Sequence, residues 1–578
     1  MRRLLATIIC AIIASMSLAA QVLVPAPQEV SSYGDKFLSF KTLNLARGII
    51  MEDSASEFSE YFDFLKPSFW GSKLNVEYGD EVASLYGIPS VSGAYSLDIR
   101  SEYVMVSRSV TIRAYDKAGV FYAVQTLKRL YEETGGRVPC GIINDSPDTM
   151  RRGIVEAFNG PSWSRTYRFS IIDLCSRLKM NAYLYAPQDD PYVAGADWRV
   201  PYPRGKSDKI TELVEACKKK HIEFVWALRP DDEFAWSEYD YTLMLEKFER
   251  MHRLGVSSFA VYFDNVPDAS EEKKRECLAR IEKDFVNRYP DVKPILTDFD
   301  GFYQTDDDGE SLKISLYGVA GYAWNRDGYD PQECIDAAIK DRVPDIAEAY
   351  RLFALHSDIF PSAFRVEESD GVTTFTLDEF SHEKYDALMT EFVKMMNLPE
   401  AVSMTENTAL YYDIKPWVEE MSKLGVRGRK VLECLTAYQN ADKAGFWTGY
   451  ADNLMTLSER EQYERYAVGK DKLQPFVDAM MAELFVAFTK KYNDKADFTR
   501  LDIDGTDVFI AMDPVAGCHF IMDDPVGKDV IVRLSDASER YVAEFCIDTP
   551  YFDFELKEKA VKAEILLGNV VRETVYVK

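Results

Sequence analysis

Between residues 150 and 300, four short polar segments each follow an apolar run. Side chains that bind a ligand or take part in catalysis are expected in such segments. The four segments are AFNG at 157–160, APQDDPY at 186–192, Asp264–Asn265, and TDFD at 297–300. A carboxylate at the end of a buried strand is a candidate for orienting a ligand or for acid–base catalysis. Asp264 directly follows the apolar run SSFAVYF and is the strongest candidate. The alternative is a loop aspartate that caps the next helix.

These segments lie in a stretch where apolar runs and amphipathic helices alternate from Arg152 onward. The pattern predicts strands at 153–158, 181–187, 222–228, 257–265, 294–300 and 313–324. It predicts helices at Arg165–Leu178, 208–219, 241–252 and 271–289. Such alternation favours a parallel sheet, most often a barrel, and active sites in barrels lie at the carboxyl ends of the strands.

The chain as a whole reads as a multidomain α/β protein. The predicted parts are a signal peptide at 1–20, an N-terminal α/β domain at 21–148, a TIM-like (β/α) barrel at 149–330, a helical domain at 331–492 and a C-terminal β-sandwich at 493–578. Arg2 and Arg3 precede a short apolar run and then small residues, which is the pattern of a cleavable secretory signal. We therefore expect the protein to be secreted or periplasmic.

The charge of the chain excludes some classes of partner. Lys and Arg number 68 and Asp and Glu number 95, so the net charge is −27 and nucleic acid is not expected to bind. A polyanionic glycan is also disfavoured, unless local charge in a cleft overrides this average. After residue 20 no apolar run reaches the about 18 residues of a membrane span.

The cysteines and histidines are scattered singly along the chain, without the spacing of metal ligands. We therefore expect no metal site and no cofactor. Cys518 and Cys546 both fall in strand-like segments. They either pair as a disulfide or remain as two buried thiols.

Several of these segments, in order, resemble the family 84 glycoside hydrolases, which include O-GlcNAcases and hyaluronidase-type β-N-acetylglucosaminidases. The barrel of that family is similar to RRGIVEAFNGPSW, NAYLYAPQDDPYV, FVWALRP and LGVSSFAVYFDN here. Its N-terminal domain is similar to GVFYAVQTL and INDSPDTMRRG, and its last strand and helical domain to YGVAGYAWN and LYYDIKPWVEE. The resemblance implies a glycan or glycoprotein ligand that carries terminal N-acetylglucosamine.

The resemblance also implies a retaining, substrate-assisted hydrolysis in which the acetamide of the sugar attacks its own anomeric carbon. Two adjacent aspartates serve that family: the first orients the acetamide and the second is the general acid. Asp264 matches the first, but Asn265 stands in place of the second. An amide cannot supply a proton near neutral pH, so we expect hydrolysis to be impaired.

The expected sugar pocket departs from the family at further positions. Ala157 and Asn159 replace a glycine and a tyrosine, and Gln188 replaces a lysine that reaches the sugar hydroxyls. Asp298 aligns with a later pocket asparagine. We predict that Ala157 and Gln188 face the same concavity as Asp264 and Asn265.

The span from Arg152 to Trp324 is much shorter than the about 250 residues of a complete eight-stranded barrel. It holds only the six strand candidates given above, which predicts an incomplete or strongly distorted barrel. Two functions remain open. One is a glycosidase acting on terminal N-acetylglucosamine, and the other is a non-catalytic relative that binds a glycan or a protein on a shortened barrel.

Overall fold

The computed structural model has a mixed α/β, multidomain architecture. It describes residues 23–39, 42–45, 58, 60–67, 72–102, 107–157, 162–304, 309–359, 367–369, 372–374, 381–470, 473–492, 498–503, 505–513, 517–554 and 559–576. The predicted signal peptide and Asn159 lie outside the described residues. The chain divides into two compact units, Met1–Arg342 and Val343–Lys578, each of which is described separately below.

A seven-stranded sheet begins the first unit, in the order β1-β7-β5-β6-β4-β2-β3. Its strands are β1 Glu29–Ser39, β2 Thr42–Leu45, β3 Lys66–Pro67, β4 Ser72–Tyr78, β5 Tyr95–Glu102, β6 Ser107–Ala114 and β7 Arg137–Asp145. Two helices, Asp80–Tyr86 and Lys117–Glu133, belong to the same part of the chain. The longer helix starts where the Asp116 carboxylate accepts a hydrogen bond from Gly119 N at 2.8 Å, and its apolar face lies in the same core as the sheet.

Five parallel strands follow among the described residues of 153–303. They are β8 Gly153–Glu156, β9 Ala182–Tyr185, β10 Glu223–Leu228, β11 Ser258–Val261 and the two-residue β12 Phe302–Tyr303. Their order in the sheet is β11-β10-β9-β8-β12, and all neighbouring pairs are parallel. The first four strands lie within the predicted segments.

Helices join these strands at Arg165–Arg177, Arg204–Lys219, Glu238–Arg253 and Glu271–Asp284. Three of them begin at a serine whose hydroxyl accepts a backbone N–H, namely Ser164, Ser237 and Ser270. This capping satisfies an otherwise unpaired donor of the first turn and fixes where each helix begins.

The inward side chains of this sheet form one small apolar core. Its buried members are Val155, Ala157, Leu184, Ala186, Val225, Ala227 and Ala260, and Tyr262, Leu296, Phe299 and Phe302 pack against them. Phe302 lies directly over Gly153, where a Cβ would come within 2.2 Å of its ring. Glycine at this position is therefore what allows β12 to pair with β8.

Two of the predicted barrel strands are different in the structure. Segment 294–300 contributes only a single bridge, between Leu296 and Ala260. The prediction of a strand at 313–324 is wrong, because these residues lie in the helix Gly309–Trp324. Leu312, Leu316, Ala320 and Trp324 are buried at intervals of four residues, which is the helical period. A continuous apolar run does not distinguish a buried helix from a buried strand.

A buried polar cluster joins the part of the chain that forms the parallel sheet to the N-terminal sheet within the first unit. Lys179 Nζ donates to Asp145 Oδ2 at 2.7 Å and to the Tyr95 hydroxyl at 2.9 Å. Trp324 Nε1 donates to the other oxygen of Asp145 at 2.8 Å. The Lys179 side chain is only 4% exposed. Its charge is therefore buried and is compensated by the ion pair with Asp145.

The second unit is helical first and β-rich afterwards. Its helices are Ala347–Ile359, His382–Met396, Leu398–Ser403, Thr408–Gln439, Lys443–Ala451, Leu457–Tyr466 and Leu473–Tyr492, and a hairpin pairs Glu367–Ser369 with Val372–Thr374. Among the described helices of the whole chain, none is long and apolar enough to cross a membrane.

Two four-stranded antiparallel sheets complete this unit. One consists of Thr499–Ile503, Thr506–Asp513, Gly517–Met522 and Tyr551–Phe554, and the other of Tyr541–Ile547, Val530–Ser535, Lys562–Leu567 and Val570–Tyr576. Residues from both sheets contribute to one apolar core. Cys518 and Cys546 do not form a disulfide: both are free thiols, the first buried and the second exposed.

Candidate functional site

Parallel strands bring their carboxyl ends to one edge of a sheet, so the loops after β8, β9 and β11 emerge together. These loops carry Ala157, Gln188, and Asp264 with Asn265, respectively. The structure therefore places these four predicted residues at one edge of the barrel sheet. Asn159 belongs to the first of these loops but lies outside the described residues.

The first two loops are joined by a hydrogen bond. Gln188 Nε2 donates to the carbonyl oxygen of Ala157 at 2.9 Å. The Gln188 amide thus has one of its N–H groups engaged with the protein backbone, where the resemblance implies a side chain that reaches sugar hydroxyls. The methyl group of Ala157 is buried in the barrel core.

Glu156, at the end of β8, is fully buried and enclosed by protein groups. Its carboxylate pairs with Arg168 at 2.7 Å and accepts hydrogen bonds from Trp163 N at 3.0 Å and from the Tyr183 hydroxyl. Burial raises the pKa of Glu156 above its ordinary value, and the bonds from Arg168 and Tyr183 oppose that rise. These contacts fix the loop after β8 and leave this carboxyl group to a structural role.

Asp189 and Asp190, in the loop after β9, have different surroundings. Asp190 is buried and accepts hydrogen bonds from the hydroxyls of Tyr185 and Tyr202, both at 2.8 Å. Asp189 is exposed and accepts one backbone bond from Ser162 N at 2.8 Å. Asp190 therefore holds the loop together, and Asp189 fastens it to the segment before the first helix.

Arg229 is a site residue that the sequence reasoning missed. It directly follows β10, its side chain is buried, and its Nε lies 3.4 Å from Asp264 Oδ1. Asp264 itself is 51% exposed. The rule that the ends of barrel strands carry the site would have found Arg229, because it is the first polar residue after the apolar run IEFVWAL.

Tyr262 completes this group at the end of β11. Its ring stacks on Phe299 with centroids 4.6 Å apart, and the Arg229 guanidinium lies 4.5 Å from the ring centre. Burial raises the pKa of Tyr262 to about 12, with Asp264 adding to the rise and Arg229 opposing it. Its hydroxyl therefore stays protonated at neutral pH and can both donate and accept a hydrogen bond.

Asn265 is exposed beside Asp264, so the two side chains that follow β11 are a carboxylate and an amide. Trp236, from the loop after β10, stacks on the neighbouring Phe263 with centroids 5.4 Å apart. Its Nε1 is fastened to the carbonyl of Pro267 at 2.9 Å. The rim of this edge is therefore partly aromatic.

Asp298 is not part of this group. It is exposed, and its Oδ1 lies 3.5 Å from Arg151, which precedes β8. Segment 298–301 runs alongside residues 151–153, as the hydrogen bond from Gly153 N to Gly301 O at 2.7 Å also indicates. Asp298 thus lies near the amino end of β8, away from the loops that carry Asp264 and Gln188.

No group of three or more His, Cys, Asp or Glu side chains that could hold a metal ion occurs within the part of the chain that the structure describes. The carboxylates at the carboxyl edge instead pair with arginines, tyrosine hydroxyls and backbone N–H groups. The chemistry available there is hydrogen bonding and charge, from Arg229, Tyr262, Asp264 and Asn265.

Two family models match the first unit. Residues 152–308 match a model described as beta-N-acetylglucosaminidase, and residues 20–146 match domain 2 of glycosyl hydrolase family 20. The Protein O-GlcNAcase of Rattus norvegicus and that of Mus musculus are each 30% identical over 115 residues. That match covers 20% of this chain and only 12% of the length of these relatives.

Solved structures are similar over much more of the chain. CpGH84B superposes with a TM-score of 0.61 at 19% identity, covering 80% of this chain and 100% of that one. CpGH84D gives 0.58 at 17% identity, covering 80% and 99%. At these identities the likeness concerns the fold. The family model, the curated relatives and the shared fold together confirm that this chain resembles the family 84 glycoside hydrolases, with residues 152–308 as its β-N-acetylglucosaminidase-type domain.

Proposed function

We propose that this protein is an exported relative of the β-N-acetylglucosaminidases that binds glycans or glycoproteins with terminal N-acetylglucosamine and hydrolyses them poorly. The family match to residues 152–308 supports the ligand class. The basic start, apolar run and small residues of the first twenty positions support export.

A single feature carries the proposal of poor hydrolysis: Asn265 stands next to Asp264 at the carboxyl end of β11. A general acid at that position contributes about 10²–10⁴-fold to a rate, and an amide cannot replace it. Asp264 can still accept the acetamide N–H of a bound sugar through its exposed oxygen. Binding is therefore retained while proton delivery is lost.

Two further features support a binding role. Gln188 already donates to the backbone of Ala157, so it is less free to hold a sugar hydroxyl than a lysine would be. The parallel sheet has five short strands among its described residues, and Phe299 and Phe302 pack against its apolar core. Sugar positioning for an in-line attack would be poor in such a site.

A second candidate, hydrolysis with a substitute acid, is favoured by one observation. Asp232 and Glu233 are exposed in the loop after β10, which leaves the same edge of the sheet as Asp264. A carboxyl group from this loop would have to reach the leaving oxygen of the substrate. Substituting both residues by amides would abolish hydrolysis if this candidate is correct.

Calorimetric titration with methyl β-N-acetylglucosaminide tests the proposal. We expect the wild type to bind and Asp264→Ala to bind about tenfold or more weakly, because it lacks the acceptor for the acetamide. Asp173→Ala is the matched control: Asp173 is an exposed carboxylate paired with one cation, Lys220, on a barrel helix. Its affinity should equal that of the wild type.

An aryl β-N-acetylglucosaminide, whose leaving group needs little protonation, serves as the second probe. We expect slow turnover by the wild type and none by Asp264→Ala. Absence of any binding to the methyl glycoside would refute the proposal, and so would equal affinities of the wild type and Asp264→Ala.

A further inference from the structure

Arg229 is a buried cation with too few partners. Its residue surface is only 6% exposed, and its Nε has no hydrogen-bond acceptor within the described part of the chain. In the part of the chain that the structure describes, its ion-pair partner is Asp264, at 3.4 Å, which is longer than a good charge-assisted hydrogen bond. A guanidinium carries five N–H donors, and removing them from water without acceptors is costly.

Arg199, from the same part of the chain, shows how a guanidinium with a full set of acceptors is bound. Arg199 donates to Asp231 at 3.0 and 3.1 Å and to Asp240 at 3.0 and 3.2 Å. It thus bridges two carboxylates with four hydrogen bonds. Arg229 has one carboxylate, held loosely, so a second acceptor is missing from its surroundings.

The missing acceptor has to come from the carboxyl edge of the sheet. Arg229 follows β10 at that edge, and Asp264, with which it pairs among the described residues, is half-exposed there. The Tyr262 ring supports the guanidinium from one side, with its centre 4.5 Å from the guanidinium carbon. These three side chains form a small site with a donor fork and a neutral hydroxyl.

We infer that the Arg229–Tyr262–Asp264 site binds a negatively charged substituent of the glycan, a carboxylate or a sulfate ester. The inference rests on the proposed binding of N-acetylglucosamine and specifies which glycans are preferred. An anionic acceptor takes up the free donors of Arg229 as a planar fork, in the way that Asp240 completes Arg199. The carboxylate of Asp264 and the exposed Asp232 and Glu233 oppose an anion, but water screens these half-exposed and exposed charges far more than the buried Arg229.

The local charge at this edge thus differs from that of the whole chain. The net charge of −27 disfavours a polyanion that covers a large surface. A single anionic group on a sugar needs only one well-placed cation. We therefore expect a preference for sugars with one acidic group rather than for highly charged polymers.

Titrations with three sugars test this inference on the full-length protein. The probes are methyl β-N-acetylglucosaminide, its 6-sulfate, and a disaccharide of N-acetylglucosamine β-linked to glucuronate. We expect the wild type to bind at least one acidic sugar about tenfold more tightly than the neutral one at low salt. The acidic sugar that binds more tightly than the neutral one shows whether the site prefers a sulfate ester or a carboxylate. Added salt should reduce this gain in affinity.

Arg229→Gln should remove the preference, measured as the ratio of the affinities for the acidic and the neutral sugar. Because Arg229 also lies against Asp264, the affinity for the neutral sugar is measured in the same variant and enters only through this ratio. The control is Arg165→Gln, because Arg165 is an exposed arginine paired with Glu212 on the helix surface. It should keep the preference. If Arg229→Gln fails to fold in a thermal scan, Arg229→Lys, which keeps the charge without the fork, should show a reduced preference.

Each outcome separates this inference from the proposed function. Equal affinity of the wild type for all three sugars would overturn the inference and leave the proposed function standing. Binding of an acidic sugar alone, lost in Arg229→Gln, would support the inference and overturn the proposed affinity for neutral terminal N-acetylglucosamine. Absence of binding to all three would overturn both.

Discussion

Asn265 is the residue on which the proposed loss of hydrolysis depends. Its amide can hold a hydrogen bond but has no proton to give to a leaving oxygen at neutral pH. The groups around it add a second defect, because Gln188 is tied to Ala157 O and no carboxylate of the family type follows Asp264. The proposal therefore expects weaker proton donation and weaker positioning of the sugar.

We predict that Asn265→Asp alone restores little hydrolysis. The new carboxyl group would supply the proton, which by itself is worth about 10²–10⁴-fold. Poor positioning of the acetamide should then limit the rate, so the gain should stay well below that range. Initial rates of the wild type and the variant on an aryl glycoside and on an alkyl glycoside measure this. Robust turnover of the alkyl glycoside by the variant would contradict a defective pocket.

At the residue scale the sequence predicted the placement of these residues better than it predicted the partners of each one. The rule about strand ends located Ala157, Gln188, Asp264 and Asn265 at one edge. It failed for Asp298, because the rule assumes a strand at 294–300 and the structure has only a bridge at Leu296. Arg229 was missed because a sequence does not reveal that an arginine after a strand is buried.

At the element scale, the packing of the chain determined whether an apolar run formed a strand or a helix where the sequence period fitted both. The four strands β8 to β11 lie in short apolar runs bounded by turns, and they were predictable. The helix Gly309–Trp324 was not predictable, because apolar residues cover most of its surface. Such a run fits both the 3.6-residue period of a helix and the two-residue period of a strand. Glu310, in the first turn of this helix, also forms ion pairs with Lys313 and Arg342 that stabilise it.

Glu310, in that first turn, provides a pH-dependent test. Burial raises its pKa, but hydrogen bonds and charges from Lys313 and Arg342 outweigh burial and hold the pKa of Glu310 below its ordinary value. A lowered pKa means that the ionised form stabilises the fold above the ordinary value of about 4.5. This stabilisation is lost as the pH falls through the lowered pKa.

We therefore predict that Glu310→Gln lowers the free energy of unfolding by about 2 kcal/mol at pH 7 and by much less at pH 3. Urea unfolding at both pH values measures the difference. Glu333→Gln is the control, since Glu333 is an exposed glutamate in the first turn of the next helix. A loss for Glu310→Gln that is the same at both pH values would contradict the ion-pair explanation.

The close packing of β8 against β12 leads to a second prediction at this scale, on the stability of a Gly153 variant. A Cβ on Gly153 would lie 2.2 Å from the Phe302 ring and 3.1 Å from the Ala182 Cβ. Gly153→Ala should therefore lower the free energy of unfolding by about 1–3 kcal/mol, as overpacking does. Gly205→Ala, on a helix with open space around the new methyl group, should not destabilise the protein. Equal stability of the two variants in thermal unfolding would show that β12 does not pack as described.

At the scale of the first unit, the buried Lys179–Asp145 pair joins the part of the chain that forms the parallel sheet to the N-terminal sheet. We predict that Lys179→Met lowers the free energy of unfolding by about 3–5 kcal/mol, because Asp145 would remain as a buried charge without its cation. Lys128→Met is the control, as its pair with Asp63 is exposed and worth at most about 1 kcal/mol. Denaturant unfolding of both variants measures this, and similar losses would contradict a special role for the buried pair.

The whole molecule combines a fold similar to that of the solved structures CpGH84B and CpGH84D with a candidate site in which Asn265 follows Asp264. The hydrolysis of methyl β-N-acetylglucosaminide by the wild type tests this combination most directly, because an alkoxide leaving group must be protonated. We predict no turnover above that of Asp264→Ala, while the same sugar still binds. Sustained release of methanol by the wild type, lost in Asp264→Ala, would mean that another residue supplies the proton and would contradict the account.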